Sequence, residues 1–161
     1  MRKVIAKRLS ESKFSAQHFY LTTEVNMDNA MAARTQMNEI SPAKISFIDM
    51  LIKAVAMALV KHPDVNSSWM GDFIRQNKHI HIGSALALTE GLFVPEIKFA
   101  NEKTLSQIAG EAKGLYQKAK DKKLQPAEFS GNTFTISNLS MMGIEEFTAI
   151  INPQDSAILA V

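Results

Sequence analysis

Between Thr104 and Leu124 the apolar positions fall at Leu105, Ile108, Ala112, Leu115, Tyr116 and Ala119, a helical spacing that gathers them on one face. Thr104 and Gln107 have the spacing of a capping box at its start. Gly110 and Gly114 lower the helix propensity without cancelling the pattern. A second helix is predicted for SFIDMLIKAVAMALVKH, capped by Ser46 and apolar nearly all round. Its exceptions are Asp49, Lys53 and Lys61, the first two spaced as an i,i+4 pair, so this reads as the most buried helix. Residues 2–14 suit a helix with a thin apolar face at Val4, Ile5 and Leu9. Asp28 offers an N-cap to DNAMAARTQMNEI, whose stripe is Ala30, Ala33, Met37 and Ile40, with Arg34 at the stripe's edge and Pro42 beyond the end.

Strand-like runs lie between these helices. HFYLTTEVNM, from His18 to Met27, is aromatic and β-branched with partial alternation. The turn-rich PDVNSSWMGDFIRQNK leaves room for one short hairpin, and HIHIGSALALTEGLFVPEIKF holds two strand-like runs separated by Glu90-Gly91. NTFTISNLS, FTAIIN and SAILAV supply three more. Helices and strands therefore mix in an irregular order, which predicts an α+β fold in one domain spanning 1–161, with no repeat and no low-complexity linker.

Composition narrows the classes. The chain has 161 residues of which 46% are hydrophobic, enough for a core. Its net charge of +2 does not announce a nucleic-acid partner. It has no cysteine, which removes disulfides and thiolate chemistry and fits a reducing compartment. The longest apolar run, from Ile48 to Val60, is broken by Asp49 and Lys53 and is short of the roughly 20 residues of a bilayer span. The opening MRKVIAKRLSESK is basic like a presequence, but it contains Glu11 and runs straight into a strand-like segment, so it is read as part of the domain.

Candidate chemistry is sparse when read from motifs alone. His79 and His81 alternate onto one side of a strand and could share a metal, although no third ligand is evident; ordinary polar strand positions are the other reading. Lys113, Lys118, Lys120, Lys122 and Lys123 could meet phosphates or form the solvated face of their helix. His18 could act as a general base or as a packed, hydrogen-bonded side chain. No phosphate loop, dinucleotide fingerprint, hydrolase elbow or zinc signature is present.

The residues do carry a resemblance. RKVIAKRLSESKFSAQHFYLTTEVNMDNAMAAR, KISFIDMLIKAVAMAL, HPDVNSSW, HIHIGSALALTEGLFVPEIKFA, KAKDKKLQPAEFSGNTFTISNLS and GIEEFTAIINPQDSAILAV resemble, in order, the catalytic domain of dihydrolipoamide acyltransferases, especially acetyltransferases of pyruvate dehydrogenase complexes. The resemblance implies a chloramphenicol-acetyltransferase-like mixed sheet flanked by helices. It implies transfer of an acetyl group between dihydrolipoamide, carried on a separate lipoyl domain, and coenzyme A. It also implies homotrimers that build a larger core, with decarboxylase and dihydrolipoamide dehydrogenase components as partners. Metal, nucleic acid and membrane are not implied, and the compartment would be bacterial cytoplasm or mitochondrial matrix. By the same resemblance, the serine of TIS, Ser137, donates a hydrogen bond to the tetrahedral oxyanion, and Arg34 holds a coenzyme A phosphate.

Departures from the family pattern set further expectations. The family's His-x-x-x-Asp-Gly base motif falls beyond Val161, so the domain is expected to be incomplete at its C-terminus and its activity in doubt. The loss of a general base removes about 10²–10⁴ of rate. The alternative reading is a catalytically silent assembly subunit. Gln17 stands where proline is usual, Ser140 where glycine is usual, with strain expected at Ser140, and Glu96 stands where an apolar residue is usual.

Overall fold

The structure, a computed structural model, describes residues 2–88 and 91–161. Four helices are formed: α1 (Arg2–Ser15), α2 (Asp28–Ile40), α3 (Phe47–Lys61) and α4 (Leu105–Lys120). The strands are β1 (Ser67–Trp69), β2 (Ile74–Gln76), β3 (Ile82–Ser84), β4 (Leu86–Leu88), β5 (Gly91–Phe93), β6 (Glu96–Ile97), β7 (Phe134–Ser137) and β8 (Ile158–Ala160). The mixture is the α+β architecture expected.

The central sheet has the order β6-β3-β7-β8. The β3–β6 pair is antiparallel, whereas β3–β7 and β7–β8 are parallel, so the sheet is mixed. One face packs on α3 and α4. Its core joins Ile52, Ala56 and Leu59 to Ile108, Ala112 and Leu115 above Ile80, Ile82, Ile97, Phe134 and Ile136. Residues alternate across a strand, so the opposite face collects His81, Gly83, Glu96, Thr135 and Ser137. That face is polar although much of it is buried.

Local chemistry explains the helix starts. Ser46 accepts from Asp49 N while Asp49 Oδ2 accepts from Ser46 N at 2.7 Å, and Thr104 and Gln107 close an equivalent box. Asp49 is thus taken by its cap, and Lys53 donates instead to the carbonyls of Asn101 and Lys103, both at 2.8 Å, so the expected Asp49–Lys53 pair does not form. Helix α3 buries Asp49, Ile52, Ala56 and Leu59, but α4 buries Ile108, Ala109, Ala112, Leu115 and Ala119, so α3 is not the more covered of the two.

Three more expectations change. His18–Met27 forms no strand: it has no ladder partner among the described residues, and Phe19, Leu21 and Val25 face solvent. FTAIIN also forms no strand, although its Phe147, Ile150 and Ile151 are half-buried, because alternation supplies a strand's side chains but not its hydrogen-bonding neighbour. Asp28 is the first helical residue rather than the cap, with its N–H donating to Asn26 Oδ1 at 2.8 Å. The α2 stripe buries none of its residues, and Ile40 is 89% exposed. The hairpin within PDVNSSWMGDFIRQNK does form, as antiparallel β1–β2 turning at Gly71, whose φ of +102° favours glycine. The runs flanking Glu90-Gly91 pair as β4–β5, while residues 89 and 90 lie outside the described residues.

Candidate active site

Ser137 ends β7, held between two parallel neighbours. Its carbonyl accepts from Val161 N at 2.9 Å, and Val161 O in turn accepts from Leu139 N at 2.9 Å, so β8 extends pairing past the serine. The backbone is therefore fixed while the half-buried side chain makes no hydrogen bond among the described residues. A hydroxyl whose proton is uncommitted on a rigid strand can donate to a negative oxygen that develops beside it.

The turn after Ser137 is not strained at Ser140. That residue opens a single 3-10 turn, and its N–H and Oγ–H both donate to Asn138 Oδ1, at 2.9 and 2.6 Å. The left-handed position falls three residues later on Gly143, with φ +68°, so the backbone conformation expected to strain Ser140 is not adopted there.

Below Ser137 on the same face lies a network that sequence reading missed. Thr135 Oγ1 donates to Asp155 Oδ2 at 2.5 Å, and Asn132 Nδ2 donates to Asp155 Oδ2 at 2.9 Å. Burial pushes the Asp155 carboxyl up to about 7, against the hydrogen bonds from Thr135, Asn152 and Asn132 that favour its ionised form. The only sequence signal was an acidic residue inside an otherwise strand-like tail.

Arg34 lies on α2 with its guanidinium 4.1 Å over the ring of Phe47, the first residue of α3. Stacking fixes the planar group, and its buried Nε has no acceptor among the described residues. An anion is the natural complement to a guanidinium held in this way. No hydrogen bond, ion pair or ring contact among the described residues joins Arg34 to Ser137.

The histidines are placed elsewhere. His18 Nδ1 bonds Ala16 O at 2.8 Å and its Nε2 accepts from Ile151 N at 3.2 Å, which engages both ring nitrogens in tying the N-terminal arm to the tail. His62 is the exposed C-cap of α3. His79 and His81 do stand together, their ring centroids 4.2 Å apart. His81 Nδ1, however, accepts from Phe99 N at 3.0 Å, and burial lowers its pKa. No group of three or more metal-ligating side chains forms among the described residues. None of the four histidines hydrogen-bonds to Ser137. Among the lysines, Lys113, Lys118, Lys120, Lys122 and Lys123 are all exposed, which is the solvated-face reading.

Comparison with known proteins gives one consistent answer. The family model described as 2-oxoacid dehydrogenases acyltransferase (catalytic domain) matches residues 1–161. The dihydrolipoyllysine-residue acetyltransferase component of the mitochondrial pyruvate dehydrogenase complex of Caenorhabditis elegans is 46% identical over 100% of this chain and 33% of its own length. The corresponding component of Rickettsia felis is 47% identical over 100% of this chain and 40% of its own length. The chain thus spans between a third and two fifths of these relatives. Among solved structures, a probable dihydrolipoamide acetyltransferase from Listeria monocytogenes superposes with a TM-score of 0.93 at 36% identity, covering 99% of this chain and 70% of the other. The cubic core of a pyruvate dehydrogenase multienzyme complex gives 0.95 at 33% identity, covering 99% and 68%.

Proposed function

Because the chain belongs to the 2-oxoacid dehydrogenase acyltransferase family, matched as its catalytic domain over residues 1–161, we propose that it forms acyltransferase core that passes an acetyl group between dihydrolipoamide and coenzyme A. In this reading a deprotonated thiol of one substrate attacks the thioester carbonyl of the other, forming a carbon–sulfur bond. The carbonyl electron pair moves to oxygen, and Ser137 donates its O–H to that oxyanion. Return of the pair expels the second thiolate, which takes up a proton. The single observation that carries the reading is the uncommitted hydroxyl of Ser137 on a backbone pinned by β8.

Arg34 suits a phosphate of coenzyme A, since a guanidinium already held by stacking gains a charge-assisted bond without further ordering. Assembly into trimers and a larger core, docking with lipoyl domains and with decarboxylase and dihydrolipoamide dehydrogenase components, and residence in bacterial cytoplasm or mitochondrial matrix belong to the same proposal. The related core structure supports the assembly part.

A second reading, a catalytically silent assembly subunit, is favoured by one fact. No histidine among the described residues hydrogen-bonds to Ser137, and thiol attack needs a base. An assay with acetyl-coenzyme A and dihydrolipoamide separates the two. The expected result is near-background turnover by residues 1–161 and restored turnover when a relative's base-bearing segment is appended, with Ser137→Ala removing the gain. Equal rates with and without the appended segment would overturn the role given to the base.

A further inference from the structure

The strand that holds the Ser137 backbone is short of means to hold itself. β8 has three residues, lies at the sheet's edge and pairs only with β7 among the described residues, in the parallel arrangement that is slightly the less stable per residue. Its register sets Ala160 against Ser137 and brings the Val161 N–H to the Ser137 carbonyl. Side chains repeat every second residue along a strand, so a slip of two positions would leave every side chain on its own face. Alternation alone therefore does not forbid that slip.

A ring of side chains at the approach to β8 does. Gly83 of β3 stands in register with Thr135 of β7. A Cβ on Gly83 would meet Val94 Cγ1 at 2.6 Å and Asn132 Cγ at 3.0 Å, so the glycine leaves room for the Asn132 amide over the sheet. That amide donates to Thr135 Oγ1 at 3.0 Å and to Asp155 Oδ2 at 2.9 Å, and the Thr135 hydroxyl donates to the same Asp155 oxygen at 2.5 Å. Thr135 and Asp155 are both buried. Thr135 is also the residue opposite Ile158, where β8 begins to pair.

The backbone beside Asp155 is strained. Gln154 has φ +85°, a left-handed conformation that disfavours any side chain and persists only where the surroundings impose it. The turn it belongs to closes with Asp155 N donating to Asn152 O at 3.0 Å, and the Asp155 carboxylate leaves that turn toward Thr135.

From this ring and the strained turn that feeds it, we infer that Asp155 is a positioning residue for Ser137. By clamping the approach to β8 onto Thr135 and Asn132, it fixes the register in which β8 holds the Ser137 backbone. It acts through Thr135 and Val161 and touches no reacting atom. The inference rests on the acyl-transfer role given to Ser137.

Two measurements test it. Amide hydrogen exchange on residues 1–161 should be faster by about tenfold or more at Leu139 and Val161 in Asp155→Ala, with the rate at Ile108 in the core unchanged. Turnover is read in the chain carrying a relative's appended base-bearing segment, at pH 8, where the Asp155 carboxyl, raised by burial to about 7, is ionised. There Asp155→Ala should lower kcat by about tenfold or more, as misplacement of a catalytic group does, and leave KM for acetyl-coenzyme A within about twofold. Asp155→Asn keeps an acceptor for Thr135 and should recover part of both effects. Unchanged exchange at Leu139 and Val161, an unchanged kcat, or equal losses in the two variants would overturn the assignment. If the unaltered appended chain shows no turnover, the acyl-transfer reading fails by itself and the exchange rates alone decide the role of Asp155. Should Asp155→Ala fail to fold, Asp155→Asn against the unaltered chain decides, with a smaller change of the same kind expected.

Discussion

Thr135 and Ser137 stand two residues apart on the same face of β7, yet the Thr135 hydroxyl is committed to Asp155 at 2.5 Å while that of Ser137 has no partner among the described residues. The strand places both hydroxyls; the tertiary surroundings occupy one and leave the other available.

That difference predicts opposite consequences for similar substitutions. Ser137→Ala should leave thermal stability nearly unchanged and lower acetyl transfer by about 10²–10³ in an active assembly, the cost of one oxyanion donor. Thr135→Val should instead destabilise by about 1–3 kcal/mol, because Asp155 loses a buried partner. Thermal melts of the two variants beside the coupled assay check both. A stable Thr135→Val protein would contradict the network's structural role.

The Asp155 carboxyl, raised from 3.8 to about 7, makes stability depend on pH in an uncommon direction for an acid. Between those values the folded chain holds a proton that the unfolded chain has lost, so this contribution is present below about 4 and is lost as pH rises through about 7. Glu96, also raised by burial, acts with the same sign. His81, lowered by burial, acts oppositely, with its share lost as pH falls below its unfolded value. Urea melts at pH 5 and pH 8 should therefore show Asp155→Asn closing part of the gap between the two conditions. An unchanged pH dependence in that variant would exclude Asp155 as its source.

Coenzyme A affinity should respond to Arg34 through both charge and shape. Arg34→Lys keeps the charge but loses the planar stack on Phe47, so it should weaken binding nearly as much as Arg34→Ala, by about tenfold or more. Calorimetric titration of both variants distinguishes this from a charge-only contact, in which lysine would preserve most of the affinity.

Removing either capping hydroxyl should cost about 1 kcal/mol, with Ser46→Ala the larger because Asp49 beside it is buried. Denaturant midpoints of Ser46→Ala and Thr104→Ala test the ordering.

Ser140→Gly should bring no gain in stability or function. Ser140 is not in the left-handed region and uses its hydroxyl on Asn138, so glycine at this position would remove a contact and relieve no strain. A clear stabilisation on thermal melting would show otherwise.

Much of this was legible in the chain. Periodicity and capping signals located α3 and α4, the Ser46–Asp49 and Thr104–Gln107 boxes among them, because these depend on residues three or four apart. Ser137 and Arg34 were reached through resemblance rather than through pattern: a serine in a strand and an arginine on a helix have no local signature. Two missed strands share one cause. His18–Met27 and FTAIIN have strand-like side chains, but a strand is completed by a neighbour's backbone, which adjacent sequence does not specify.

By itself, then, the sequence determined the helices, the mixed α+β class and the family, since each is written in short-range spacing or in the ordered run of residues. Only the tertiary structure decided which acids are buried, that Asp49 serves a cap rather than Lys53, that Asp155 closes on Thr135 and Asn132, and that Glu96 is buried with one oxygen unmet. Those outcomes depend on groups far apart in the chain competing for the same few donors once water is excluded, and that competition is settled by packing.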